Sequence, residues 1–174
     1  MDIAKSVLEE YDRAIEHYKR SLEANKGDKE FEAITLHSIG SFYTYKREHK
    51  EAVEYFRKSL TISEETNDTQ LIMANMLNLG NECIFLKDYR NAKTYLTKGI
   101  ERAEDAGAKH WEANGYSSFG RLYIDIDLGR YEEAKEYLLR SVELAKSIGA
   151  VKVAESAQIL LSKLKKKLSV SATD

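Results

Sequence analysis

Apolar and polar positions along the chain recur in one frame three times. In Leu36-His37-Ser38-Ile39-Gly40-Ser41-Phe42-Tyr43, a large residue stands four before a glycine, another one before it, and a third three after it. Met76-Leu77-Asn78-Leu79-Gly80-Asn81-Glu82-Cys83 and Tyr116-Ser117-Ser118-Phe119-Gly120-Arg121-Leu122-Tyr123 repeat the frame, so that Gly40, Gly80 and Gly120 lie forty residues apart. Those offsets share one side of an α-helix. Glycine costs a helix interior about 1 kcal/mol relative to alanine. Its return to one position predicts a close approach between helices there.

A second frame follows each glycine. It runs over 49–60, 89–100 and 131–142, and a matching copy at 11–22 opens the chain. Ala14, Ala52, Ala92 and Ala134 are its small positions, where one helix can lie against the next. The aromatic or leucine four residues later, at Tyr18, Phe56, Leu96 and Leu138, fills the space between helices. Short links separate the frames. Asn25-Lys26-Gly27-Asp28, Thr66-Asn67-Asp68, Leu86-Lys87-Asp88-Tyr89, Ala106-Gly107, Leu128-Gly129-Arg130-Tyr131 and Gly149-Ala150 read as helix stops and restarts. The pattern predicts eight helices, over about 2–25, 30–46, 49–66, 69–87, 89–106, 109–128, 131–148 and 151–168, with a frayed tail at 169–174.

Composition supports long helices with short links. The 174 residues include no proline and nine glycines, with 43% hydrophobic and 32% charged residues. That mixture buries one face of each helix and wets the other. The formal charge of −2 gives no strong field for nucleic acid or an anionic membrane. The run Lys163, Lys165, Lys166, Lys167 reads as the solvated last turn of a helix. Cys83 is the single cysteine, so an intrachain disulfide and a cysteine zinc site are excluded. Its apolar neighbours predict a buried thiol. There is no secretion-signal pattern at the start and no apolar run near 18 residues, which makes a cytoplasmic location the expectation.

Chemistry-bearing constellations are missing from the sequence. His17, His37, His49 and His110 place no two imidazoles at ligand spacing on one helix. His49 stands in the slot held elsewhere by Tyr11, Tyr89 and Tyr131, and reads as a packing residue. No phosphate loop, dinucleotide loop or nucleophile elbow occurs. The adjacent acidic pairs Glu9-Glu10, Glu64-Glu65 and Glu132-Glu133 diverge around their helices. The expectation is a non-catalytic chain without metal or cofactor.

The two frames together resemble a tetratricopeptide repeat: a first helix with a large residue, Leu, Gly and Tyr at these offsets, then a second with Ala and Phe. The likeness covers full repeats at 30–66, 69–106 and 109–148, a half repeat at 1–25 and a capping helix at 151–168, within one domain spanning 1–174. The period of forty exceeds the family's usual thirty-four and is similar to that of its longer-helix variety in regulatory and scaffolding proteins. The proline after the second helix is absent, and Cys83 replaces an expected tyrosine. The resemblance implies an all-α solenoid of antiparallel helix pairs, coiled into a right-handed superhelix whose concave groove is lined by the first helix of each repeat.

Carried onto this chain, the resemblance places groove contacts at Ile34, His37, Ser41, Thr44 and Tyr45. The second repeat contributes Ala74, Leu77, Asn78, Asn81 and Phe85, and the third Asn114, Ser117, Ser118, Arg121 and Asp125. Lys163 and Lys167 extend the set onto the last helix. Asn78 and Asn81 lie three apart on one helix, and an amide that both donates and accepts suits the backbone of an extended peptide. The alternative is that both serve nearby helix ends or face water. The Arg121 fork suits a carboxylate, or else bridges to Asp125 four residues on. The family's lysine and asparagine clamp for a terminal carboxylate is not reproduced, with His37 and Leu77 standing at its positions.

Three functions are compatible with this pattern. One is an adaptor whose groove holds a protein or peptide partner. Another is assembly into a homodimer through Ile3, Val7, Leu8 and Ile15, because the opening helix lacks its repeat partner. The last is a peptide-sensing regulatory domain of a signalling or transcription system.

Overall fold

The structure is a computed structural model that describes residues 3–126 and 130–171, with side chains described over 6–126 and 130–168. Its helices are α1 (Ile3–Ala24), α2 (Lys29–Tyr45), α3 (His49–Thr66), α4 (Thr69–Phe85), α5 (Tyr89–Asp105), α6 (Lys109–Ile126), α7 (Tyr131–Ser147) and α8 (Val151–Ser171). Local chemistry sets their ends. Asp28, Asp68 and Asp88 precede α2, α4 and α5, and each carboxyl accepts from a backbone N–H three residues on, at Phe31, Leu71 and Asn91. Arg47, Asn67 and Lys87 adopt left-handed φ values of 61°, 56° and 59°, which turn the chain from one helix into the next without glycine. At all three turns a backbone N–H returns to a carbonyl five residues back: Glu48 to Tyr43, Asp68 to Ser63 and Asp88 to Cys83.

Helix α8 continues to Ser171, past the expected end at 168, since no proline or glycine follows to stop it. Leu128 and Gly129 of the expected link between the sixth and seventh helices lie outside the described residues.

The repeating glycines place the helices. A Cβ on Gly40 would stand 2.9 Å from the Phe56 ring, one on Gly80 2.5 Å from Leu96, and one on Gly120 2.4 Å from Leu138. Each first helix therefore lies against its own second helix at a distance only glycine permits. Ala52, Ala92 and Ala134 are fully buried at the same interfaces. The pairs α2–α3, α4–α5 and α6–α7 pack as antiparallel hairpins, and α3 packs on α4, α5 on α6, and α7 on α8.

Contacts that skip a helix decide the curvature. Helix α2 touches α4, α4 touches α6 and α6 touches α8, whereas α1, α3, α5 and α7 make no such contacts with one another among the described residues. The even helices crowd together and the odd ones splay. The even helices consequently form the inner, concave side of an all-α helix-pair solenoid. No helix among the described residues is long and apolar enough to cross a membrane.

Candidate peptide-binding groove

Helical geometry sorts the expected groove residues. On each even helix the glycine marks the direction of the odd partner. The residue three before it lies only about 60° away, and those one and five after it, or two and six before it, lie about 100–160° away. The second set faces the concave side. It comprises Ile34, Ser38, Ser41 and Tyr45 on α2, Ala74, Asn78, Asn81 and Phe85 on α4, and Asn114, Ser118, Arg121 and Asp125 on α6.

The residues three before the glycine turn inward. Leu77 is 2% exposed and packs in the core. His37 is half-buried, its ring 5.3 Å from that of Phe56. Its Nδ1 lies 2.8 Å from Asn75 Oδ1. The Asn75 amide donates to Ser59 Oγ at 2.8 Å, and that hydroxyl donates to the Ala33 carbonyl at 2.8 Å. A polar relay thus runs through α2, α4 and α3, with Asn75 and Ser59 fully buried. His37 is a member of this relay. Burial pushes its imidazole below the ordinary 6.5, and the bond to Asn75 offsets part of that shift.

Other expected contacts divide by whether their polar groups are already engaged. Asn81 donates to the Leu77 carbonyl at 3.1 Å and Asn114 to the His110 carbonyl at 2.8 Å. Ser41 and Ser118 donate to carbonyls one turn back, His37 and Asn114. Thr44 donates to Glu82 Oε1 at 2.7 Å, so it belongs to the interior of the seam. Lys167 Nζ donates to the Ile124 carbonyl at 3.1 Å and lies over the Tyr131 ring. Half-buried Asn78 and Ser117 make no side-chain hydrogen bond among the described residues; Asn78 is on the concave side, where its amide is open to a ligand, whereas Ser117, three before Gly120, lies toward the seam.

An aromatic and cationic stack crosses the concave rim. Phe85 is 49% exposed at the end of α4. The His49 ring stacks on it at 4.5 Å and 8°, and the Arg121 guanidinium of α6 lies 5.4 Å from its centroid. Arg121 forms no ion pair with Asp125 among the described residues; the guanidinium is turned toward Phe85 of the preceding repeat instead. Tyr45, forty residues before Phe85, is 65% exposed and stacks on Tyr11 at 5.6 Å.

The pattern reading missed the group beneath this stack. Glu82 is 1% exposed. Its carboxyl meets His49 Nδ1 at 2.6 Å and the Thr44 hydroxyl at 2.7 Å. A signal existed: Glu82 stands where Phe42 and Leu122 stand, forty residues to either side. An acid in an apolar slot requires a buried partner, and His49 in the tyrosine slot supplies it. Cys83 is the buried thiol expected, with burial pushing it up to about 11.

At the opening helix, Val7 and Leu8 are 39% and 43% exposed, while Ile15 is 4% exposed. Ile15 is therefore covered by the chain itself and is no part of a free surface. The Ile3 side chain lies outside the described residues. No group of three or more His, Cys, Asp or Glu among the described residues is arranged to hold a metal ion.

Comparison with known proteins agrees with this architecture. A family model described as "Tetratricopeptide repeat" matches residues 4–65 and 71–147. No curated protein matches the chain. The crystal structure of BtubC (BKLC) from P. vanneervenii is similar over 94% of this chain and 75% of that one, with 14% sequence identity and a TM-score of 0.70. At that identity the likeness is one of fold.

Proposed function

The chain belongs to the tetratricopeptide repeat family, and from that premise we propose that its concave face holds an extended peptide or a helix of a partner protein, as a non-catalytic adaptor. One observation carries this reading. The concave side presents an uncommitted polar group, Asn78, on the same helix face as a half-exposed aromatic ring, Phe85. Such a mixture gives both orientation and buried area to a ligand. The test is a pull-down from cell extract with the wild type and with the pair Asn78→Ala and Asn81→Ala. A protein retained by the wild type and lost by the variant supports the groove. Retention of the same proteins in the same amounts would sink it.

Self-association is a second reading, favoured by the exposure of the neighbours Val7 and Leu8 on α1. Light scattering across a concentration series separates the two readings. A dimer that becomes a folded monomer when Val7 and Leu8 are changed to serine supports assembly. A monomer at every concentration excludes it.

A further inference from the structure

On the convex side, consecutive odd helices flank an aromatic pair. Between α1 and α3 the pair is Tyr43 and Tyr55, stacked at 5.3 Å and 22°. Between α5 and α7 the same repeat positions hold Tyr123 and Tyr137, stacked at 5.7 Å and 15°. Three cations attend the first pair. Lys46 lies over Tyr43, Lys58 lies over Tyr55, and Lys19 reaches across from α1 to donate to the Tyr43 hydroxyl at 3.5 Å. Two of them have counterparts at the second pair. Arg130 lies over Tyr123, and Arg140, at the repeat position of Lys58, lies over the adjoining Tyr116. The third has none. Lys19 stands eight residues after Tyr11 and Arg57 eight after His49, but eight after Tyr89 stands Thr97.

Where that third cation would lie, the surface is hollow. A cleft of about 200 Å³ opens between α5 and α7, with Thr97, Glu101 and Glu104 on one wall, Tyr137 and Arg140 on the other, and Tyr116 of α6 in its floor. It adjoins a hollow of about 260 Å³ that shares Tyr116 and Arg140 and adds Glu112 and Glu143. The joint lining carries four carboxyl groups and one guanidinium. That guanidinium is engaged by Tyr116, through the ring and through the hydroxyl at 3.1 Å. Glu104 accepts from the same hydroxyl at 2.7 Å, and none of the four carboxyl groups forms an ion pair among the described residues. We propose that this convex cleft receives a lysine or arginine side chain from a basic segment of a partner protein. The stem of such a side chain packs along the aromatic wall while its charged head meets the rings and the carboxyl groups at the rim. Lys19 shows the arrangement within this same chain, where the cation comes from the preceding odd helix. The cleft lies on the side opposite the groove and does not depend on the groove reading.

Filling the hollow from within tests this with no natural partner required. Thr97→Lys supplies the side chain that Lys19 supplies at the first pair, and Thr97→Met fills the same space without charge should the lysine variant fail to fold. Random twelve-residue peptides displayed on phage are selected on the wild type, and those that no longer bind the filled variant are scored as cleft binders. The expected result is enrichment of Lys and Arg among cleft binders over the unselected library. A selected peptide should bind the pair Glu101→Gln and Glu104→Gln about fivefold more weakly by fluorescence anisotropy. Glutamine at 104 still accepts from Tyr116, so that loss reads the charge. Replacing the peptide's cationic residue by norleucine, which keeps an apolar stem, should weaken binding at least as much. Cleft binders enriched in apolar or acidic residues would overturn the proposal, as would a peptide indifferent to norleucine or to the glutamine pair. An absence of cleft binders on the folded wild type would overturn it too, and would leave the groove standing.

Discussion

At the α1–α2 junction, Tyr11 packs its ring 5.8 Å from Phe42 and stacks 5.6 Å from Tyr45. At the α3–α4 junction the same repeat positions hold His49, Glu82 and Phe85. His49 stacks on Phe85 as Tyr11 does on Tyr45, but its other contact is a hydrogen bond to a buried carboxyl group. At the α5–α6 junction the positions hold Tyr89, Leu122 and Asp125; Leu122 and the Tyr89 ring pack in the apolar core, and the Tyr89 hydroxyl reaches only the Asp125 backbone carbonyl, at 3.5 Å. The helix arrangement is the same each time, so the frame does not require a polar pair. What the pair adds is direction. A ring held by both a stack and a hydrogen bond has one orientation, whereas an aromatic in an oily slot has more freedom. The central junction is also where Phe85 carries Arg121. Polar fixation and the candidate ligand contact therefore coincide.

Breaking the central junction should produce the largest effect. His49→Ala strips the Glu82 carboxyl of one of its two partners in a site 1% exposed. The expected cost is about 3 kcal/mol, read as a lower midpoint in urea by circular dichroism. The pair His49→Tyr with Glu82→Leu copies Tyr89 and Leu122, and should return stability to within about 1 kcal/mol of the wild type. If the double variant is as unstable as the single one, the junctions are not interchangeable and the frame argument fails.

The next effect tests whether the α2–α4 seam depends on its own polar relay. Asn75 is fully buried and serves both His37 and Ser59. Asn75→Ala should cost about 2 kcal/mol in the same urea measurement. The corresponding position on α6 is Gly115, where the approach of Ile100 leaves no room for any side chain. A loss below about 0.5 kcal/mol would mean that water replaces the amide and that the relay is not structural.

These junctions also show what the sequence made legible. Gly40, Gly80 and Gly120 marked the close approaches because only the residue without a Cβ fits against Phe56, Leu96 and Leu138. Repeat period and helix order followed from the same spacing. The site was less legible, because one sequence period carries two demands. A residue three before the glycine and one five after it are both polar in places, yet the first turns into the seam and the second into the groove. His37 was placed in the groove by resemblance, and only its bond to Asn75 reveals that it serves the interior. Glu82 was readable as an exception to its column, but its partners lie 33 and 38 residues away, on helices the pattern cannot dock in detail. Arg121 could pair with Asp125 on helix geometry alone. The competing ring of Phe85 belongs to another repeat, and the choice between them is tertiary.

The smallest effect tests the histidine of the α2–α4 seam by pH. His37 is held by a neutral amide inside the α2–α4 seam, and burial lowers its affinity for a proton relative to the ordinary value of 6.5. Below that pH the unfolded chain takes up this proton more readily than the folded one. The contribution of His37 is therefore fully present above pH 6.5 and is lost as pH falls through the lowered folded value. Carboxyl groups elsewhere also titrate on the way down, so the informative quantity is a difference. His37→Gln keeps a side-chain amide that can donate to Asn75 Oδ1 and removes the titration. Urea midpoints of the wild type and of His37→Gln, followed from pH 7 downward, should run parallel above pH 6.5 and converge below it, the wild type declining more steeply. Curves that stay parallel throughout would place His37 in water rather than in the seam. That outcome would return it to the groove, where the resemblance first put it.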